Sequence, residues 1–284
     1  VLETAKYFKG QGYEVTYLKV NDEGLVDAEQ LRREIREDTL LVSVMHVNNE
    51  VGVIEEVGEI GRVCRAKGVM FHCDAAQSFT KLKIDVEKMK IDLLTLSSHK
   101  IYGPKGAGVL YVRQGLEKGL EPLLHGGGQE RGLRSSTMNT AVVVGMARAA
   151  EIGIKEMKKE RERMVELKGK FIEGVLAEIS GVVINGSREK SVENMVNLSF
   201  DKIEGEAILL SLDALGIKVS TGSACSSDDL KPSYVLRAMG CPVARAHGSI
   251  RFSWGRWTSE ADLDYVVEVL TGVIKKLRRL SPIK

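Results

Sequence analysis

Apolar and polar positions follow two different patterns in the two halves of the chain. In the first half, short apolar runs at 39–47, 69–73, 91–96 and 107–113 each break at polar or glycine-rich residues and predict strands. Helical spacing of apolar residues covers 1–11, 27–36 and 55–67, and 13–20 reads as one more strand. Strands and helices in alternation predict a mostly parallel sheet of the α/β class. A long helical pattern from 140 to 179 follows the breaker Gly126-Gly127-Gly128 and reads as a connector. Beyond it the period changes. Val196, Leu198 and Phe200 alternate with polar neighbours, as do Ile250, Phe252 and Trp254, which predicts half-buried antiparallel strands. Helical patterns at 204–215 and 259–280 would cover one face. The expected organisation is a large α/β domain with its connecting helix over 1–158 and a small α+β domain over 159–284.

The polar residues just past the strands carry the candidate chemistry. Ligands of open α/β sheets bind beyond the carboxyl ends of the strands. The run at 39–47 ends in Asn48-Asn49-Glu50, the run at 69–73 in Asp74-Ala75-Ala76-Gln77, and the run at 91–96 in Ser97-Ser98-His99-Lys100. Asn49, Asp74, Gln77, Ser97, His99 and Lys100 are therefore expected in one crevice. An acid, two amides, a hydroxyl, an imidazole and an amine suit a polar aromatic cofactor that carries a phosphate. An aldehyde cofactor also needs an amine such as that of Lys100.

Composition narrows the partners. A net charge of +2 over 284 residues gives no footing for nucleic acid or a membrane surface. No apolar stretch reaches transmembrane length, and no signal peptide opens the chain. The four cysteines, Cys64, Cys73, Cys225 and Cys241, lack paired metal spacing, so no metal site is expected. They fit a reducing, cytoplasmic setting better than a disulfide framework. Cys225 differs from the others. It stands among small polar residues without apolar period, in a segment that reads as an exposed loop.

Six segments together resemble the cysteine desulfurases of the NifS/IscS kind, a branch of the class V aminotransferase group. They are HVNNEVGVIEEV (46–57), HCDAAQSFTKLKIDV (72–86), LSSHKIYGPKGAGVLYVR (96–113), HGGGQERGLRSSTMNT (125–140), STGSACSS (220–227) and SIRFSWGRWTSEADLDYVVEVL (249–270). The resemblance implies the type I fold of enzymes that use pyridoxal 5'-phosphate (PLP), with PLP bound in the large domain. It implies conversion of L-cysteine to L-alanine, with the sulfur held as a persulfide on Cys225. It assigns Lys100 as the lysine that holds PLP and shuttles protons. Asp74 is placed on the pyridine nitrogen, Gln77 on the phenolic oxygen and Asn49 on the same side. Ser97 and His99 bind the phosphate, with Ser98 offering its main-chain N–H, and His99 has a second role in positioning the aldehyde or the lysine. Arg251, with Asn49, takes the substrate carboxylate.

Thr137 resembles a threonine that reaches the phosphate of a partner subunit, which implies a homodimer. The family usually has glycine where Ser136 stands, a strained place for serine if that position requires positive φ. The sulfur acceptor would be an iron–sulfur scaffold or another thiolation pathway. A selenocysteine lyase, or another PLP lyase or aminotransferase, is the related alternative. Val1 opens the chain inside a helical pattern, and the family has a segment before this point. The expectation is a chain lacking that segment, whose non-catalytic extreme is a subunit that needs an N-terminal partner.

Overall fold

The computed structural model describes residues 1–222 and 232–281. They form two compact units. The first comprises 1–18, 27–47 and 56–157, and the second 19–26, 48–55 and 158–284.

The first unit begins with helix α1 (Leu2–Gly10) and helix α2 (Ala28–Glu34). Asp27 starts α2 by accepting from the N–H groups of Glu29 and Gln30. Strand β1 (Leu41–Met45) precedes helix α3 (Val57–Lys67), which stops at Gly68 in the left-handed conformation (φ 71°). Strands β2 (Met70–Asp74), β3 (Leu93–Ser97) and β4 (Gly108–Val112) complete a sheet of order β1-β2-β3-β4. The first three strands run parallel and β4 returns antiparallel along β3. Ile60, Val63 and Cys64 of α3 pack on Val42, Phe71, Cys73 and Leu94, so the periodic face of the helix closes the core of this unit. Asp92 is buried just before β3. It takes Phe71 N–H at 2.9 Å, Arg65 Nη2 at 2.9 Å and Arg113 Nε at 2.6 Å, which ties α3, β2 and the end of β4 together.

No strand forms over 13–20. Only Val20 makes a bridge, to Val26. Tyr13 and Tyr17 are exposed, and Tyr13 leans edge-on against Phe8, so the alternating pattern has no sheet to join.

Helix α4 (Thr140–Glu178) runs from the first unit into the second. The second unit contains strands β5 (Val182–Asn185) and β6 (Met195–Phe200), helices α5 (Gly205–Asp213), α6 (Tyr234–Ala238) and α7 (Val243–His247), strand β7 (Ser249–Ser253) and helix α8 (Glu260–Leu280). Its sheet is antiparallel, in the order β5-β6-β7. Met164, Leu167, Phe171 and Val175 form one stripe of α4 and meet Ile250, Phe252 and Trp254. The rings of Phe171 and Phe252 lie 5.1 Å apart. A capping box of Ser259 and Asp262 opens α8.

β6 departs from the half-buried pattern, since all six of its residues are buried. Its polar face carries Asn197 and Ser199, and both receive hydrogen bonds from Asn185 Nδ2 at 2.7 Å. Asn197 in turn donates to the Glu50 carbonyl at 3.3 Å. The segment 48–55 thus covers this face and satisfies the polar groups it buries.

Candidate active site

In the first unit, β2 and β3 are parallel with Asp74 opposite Thr95, so their carboxyl ends emerge side by side. Asp74, the last residue of β2, accepts Ala76 N–H on Oδ1 at 3.0 Å, while its carbonyl accepts from His46 N–H. Gln77 is buried one turn later, and its carbonyl takes Lys81 Nζ at 2.7 Å. Burial and the nearby charge of Lys100 together push the Lys81 amine down to about 8.

β3 passes at Ser97 into a tight 3₁₀ turn, Ser98–Ile101. Ser97 Oγ and His99 Nδ1 are 3.0 Å apart, and both His99 and Lys100 are exposed. The turn closes with Tyr102 at positive φ and Gly103 N–H on the Ser98 carbonyl. The structure therefore brings Asp74, Gln77, Ser97, His99 and Lys100 to one end of one sheet.

Ser98 does not offer its main-chain N–H to a ligand as expected. That group donates to the Ala107 carbonyl at 3.2 Å, and the side chain is fully buried. Ser98 anchors the turn from below. Thr137 is exposed in the stretch before α4. Ser136 is not among the described residues with positive φ, so the serine at that position carries no left-handed strain.

His72 links three strands, with Nδ1 2.7 Å from Ser43 Oγ and Nε2 2.8 Å from Thr95 Oγ1. Burial holds it and His46 below the ordinary imidazole range, and both serve the frame beneath the strand ends. Cys64 and Cys73 are buried, and desolvation pushes each thiol up to about 12, far from nucleophile chemistry.

Asn49 and Arg251 belong to the second unit. Arg251 Nη1 donates to the Asn49 carbonyl at 2.7 Å. Arg251 lies on β7 between buried Ile250 and Phe252, and its main chain exchanges hydrogen bonds with Ser220. Ser220 opens the segment that carries Cys225, and Cys225 itself lies outside the described residues.

Sequence reasoning passed over two residues. Lys81 stands four positions after Gln77, the spacing at which one turn of chain brings a side chain back over a carbonyl. Glu50 closes the Asn48-Asn49-Glu50 run, and a carboxylate entering the apolar stretch that follows was the available signal. Among the described residues no group of three or more His, Cys, Asp or Glu is placed to hold a metal ion, and no helix is long and apolar enough to cross a membrane.

The Aminotransferase class-V family model matches residues 2–266. The chain belongs to this family. Among class-V relatives, the cysteine desulfurase IscS of Dictyoglomus turgidum is 47% identical over the whole chain, which spans 72% of that protein. A solved NifS-like protein superposes with a TM-score of 0.89 at 37% identity, over 98% of this chain and 72% of the other. A second structure, SspA in complex with cysteine, gives 0.78 at 37% identity, over 91% of this chain and 71% of the other. The fold is the type I fold of PLP enzymes, and PLP is the cofactor of this class-V protein. The donor set at the strand ends fits it. A carboxylate (Asp74), a hydroxyl–imidazole pair (Ser97 and His99) and the exposed amine of Lys100 match a ring nitrogen, a phosphate and an aldehyde. The paired charges of Lys81 and Lys100 add the positive potential a phosphate needs.

Proposed function

We propose that this class-V protein is a PLP-dependent cysteine desulfurase, which converts L-cysteine to L-alanine and keeps the sulfur as a persulfide on Cys225. The observation that carries this reading is the 47% identity with a cysteine desulfurase along the entire chain, combined with the strand-end cluster of Asp74, Ser97, His99 and Lys100. When bound, PLP supplies an electron-withdrawing ring that stabilises negative charge at the substrate α-carbon.

The chain's own residues do the rest. Asp74 holds the proton on the ring nitrogen, because an opposite charge favours the charged form. Ser97 and His99 grip the phosphate, and Gln77 donates to the phenolic oxygen. Lys100 would hold the aldehyde with its amine and would move the proton at the α-carbon, and His99 beside it would help set that amine. Arg251 takes the α-carboxylate with its planar guanidinium, and Asn49 supports it. The thiolate of Cys225 attacks the substrate sulfur. An S–S bond forms as the C–S bond breaks, and a proton delivered to carbon leaves alanine.

The wider reading follows the same family likeness. Apart from 19–26 and 48–55, which belong to the second unit, residues 1–158 form the large PLP-binding domain and 159–284 the small one. Thr137 reaches the phosphate of a second copy in a homodimer. The persulfide passes to an iron–sulfur scaffold or another sulfur acceptor in the cytoplasm.

A single-turnover assay with L-cysteine on the PLP-loaded protein tests the core of the reading. Alanine and a persulfide on Cys225 are expected from the parent, no persulfide from Cys225→Ser, and no alanine from Lys100→Ala. A parent that binds PLP and yields no alanine would sink the assignment.

A further inference from the structure

The side chain of Glu50 is 1% exposed, although a buried carboxyl is costly unless something holds it there. It is not needed to shape its own turn. Asn48 Oδ1 accepts from the N–H groups of Glu50 (2.8 Å) and Val51 (3.1 Å), Gly52 N–H closes on the Asn48 carbonyl (3.0 Å), and Asn197 grips the Glu50 carbonyl from β6. The internal shape of the 48–52 turn is therefore set by main-chain groups and by Asn48 and Asn197, which leaves the tie between the turn and α6 to the Glu50 carboxyl.

The Glu50 carboxyl has different partners. Ser233 Oγ, which also caps α6, donates to Oε2 at 2.5 Å. Oε2 lies 3.5 Å from where a Cβ on Gly222 would sit. The charge of Arg251 is also felt at the carboxyl. Glu50 thus stands at a junction of three elements: the turn whose Asn49 carbonyl receives the Arg251 guanidinium, the strand that carries Arg251, and the start of α6.

We propose that Glu50 is the positioning residue of Arg251, holding the Asn49 carbonyl and the guanidinium in register for an α-carboxylate by clamping the turn to Ser233. The inference rests on the reading of Arg251 as the carboxylate-binding residue. Burial pushes the Glu50 carboxyl up, against the opposing pull of Ser233 and Arg251. Glutamine has the same shape and the same accepting oxygen, and is the matching replacement.

The test compares Glu50→Ala, Glu50→Gln, Ser233→Ala and Arg251→Lys in the PLP-loaded protein. It follows KM and kcat for L-cysteine and, independently of turnover, the calorimetric affinity for L-alanine. Glu50→Ala and Ser233→Ala are expected to raise KM about tenfold with kcat within threefold. L-Alanine binding should weaken in parallel, and Glu50→Gln should return both within threefold of the parent. If Glu50→Ala fails to fold, Ser233→Ala and Glu50→Gln carry the comparison. Arg251→Lys raising KM while the Glu50 and Ser233 variants leave it within twofold would overturn the positioning role alone. Arg251→Lys leaving KM and L-alanine binding unchanged would overturn the carboxylate reading and this inference with it. A Glu50→Gln variant as weak as Glu50→Ala would overturn a clamp made through the oxygen that accepts from Ser233.

Discussion

Gly103 lies so close to Ser98 that no side chain fits between them. Its N–H donates to the Ser98 carbonyl at 3.0 Å, and a Cβ at Gly103 would run into the Ser98 hydroxyl and come within 3.1 Å of that same carbonyl. Ser98 is fully buried and cannot swing aside. The contact locks the turn that presents Lys100. Gly103→Ala is expected to cost about 1–3 kcal/mol of stability, as overpacking of a closed site does. It should also weaken PLP retention, because the Lys100 turn must shift. A melting curve with and without PLP checks both; an unchanged melting temperature would contradict the close packing.

Lys81 supports the same site from its far side. Its amine is tied to the Gln77 carbonyl and lies near the charge of Lys100. With the amine at about 8, it carries a proton at neutral pH and loses it as pH rises through that value. A phosphate nearby feels the positive charge below pH 8 and not well above it. Lys81→Met is expected to weaken PLP binding at pH 7 by roughly tenfold, equivalent to about 1.4 kcal/mol. The variant should show less of the loss of affinity that the parent shows between pH 7 and pH 9. Fluorescence titration at the two pH values measures it, and equal affinity of parent and variant at pH 7 would exclude the electrostatic role.

The polar face of β6 makes a different prediction. Asn185 Nδ2 serves both Asn197 and Ser199 in a buried setting. Asn185→Ala removes the shared donor and leaves acceptors without it, a change that costs about 1–3 kcal/mol. Denaturant unfolding should show that loss with an unchanged m-value.

The strands of the first sheet were legible because each is an apolar run that stops at a polar motif, and the same stops named Asp74, Ser97, His99 and Lys100. The misreading of 13–20 has a physical cause. Tyr13 and Tyr17 give an alternating pattern, but alternation makes a strand only where a neighbour offers hydrogen bonds. β5 and the helices α6 and α7 were missed because four or five residues are too few to show a period. The place of Glu50 was not legible. It depends on Val53 pairing with Ser191 and on Val192 N–H reaching the Gly52 carbonyl, contacts between segments some 140 residues apart. Asn49, which follows β1 in the chain, belongs to the second unit together with Arg251.

His46 sets the acid limit of the first unit. It is 4% exposed, and Nδ1 is buried with no hydrogen-bond partner among the described residues. Burial lowers its pKa from 6.5 to about 4, against a smaller upward pull from Glu56. Between those two values the unfolded chain binds the proton and the folded chain does not. The unfolded state gains as pH falls, so stability is complete above pH 6.5 and declines toward pH 4. The full difference corresponds to about 3 kcal/mol. His72, lowered for the same reason, moves in the same direction. Urea unfolding between pH 7 and pH 4 should therefore show a steep loss of stability. His46→Gln, which cannot take up a proton, should flatten that slope while leaving the stability at pH 7 comparatively little changed. A variant with the same acid slope as the parent would show that His46 is not the group that titrates.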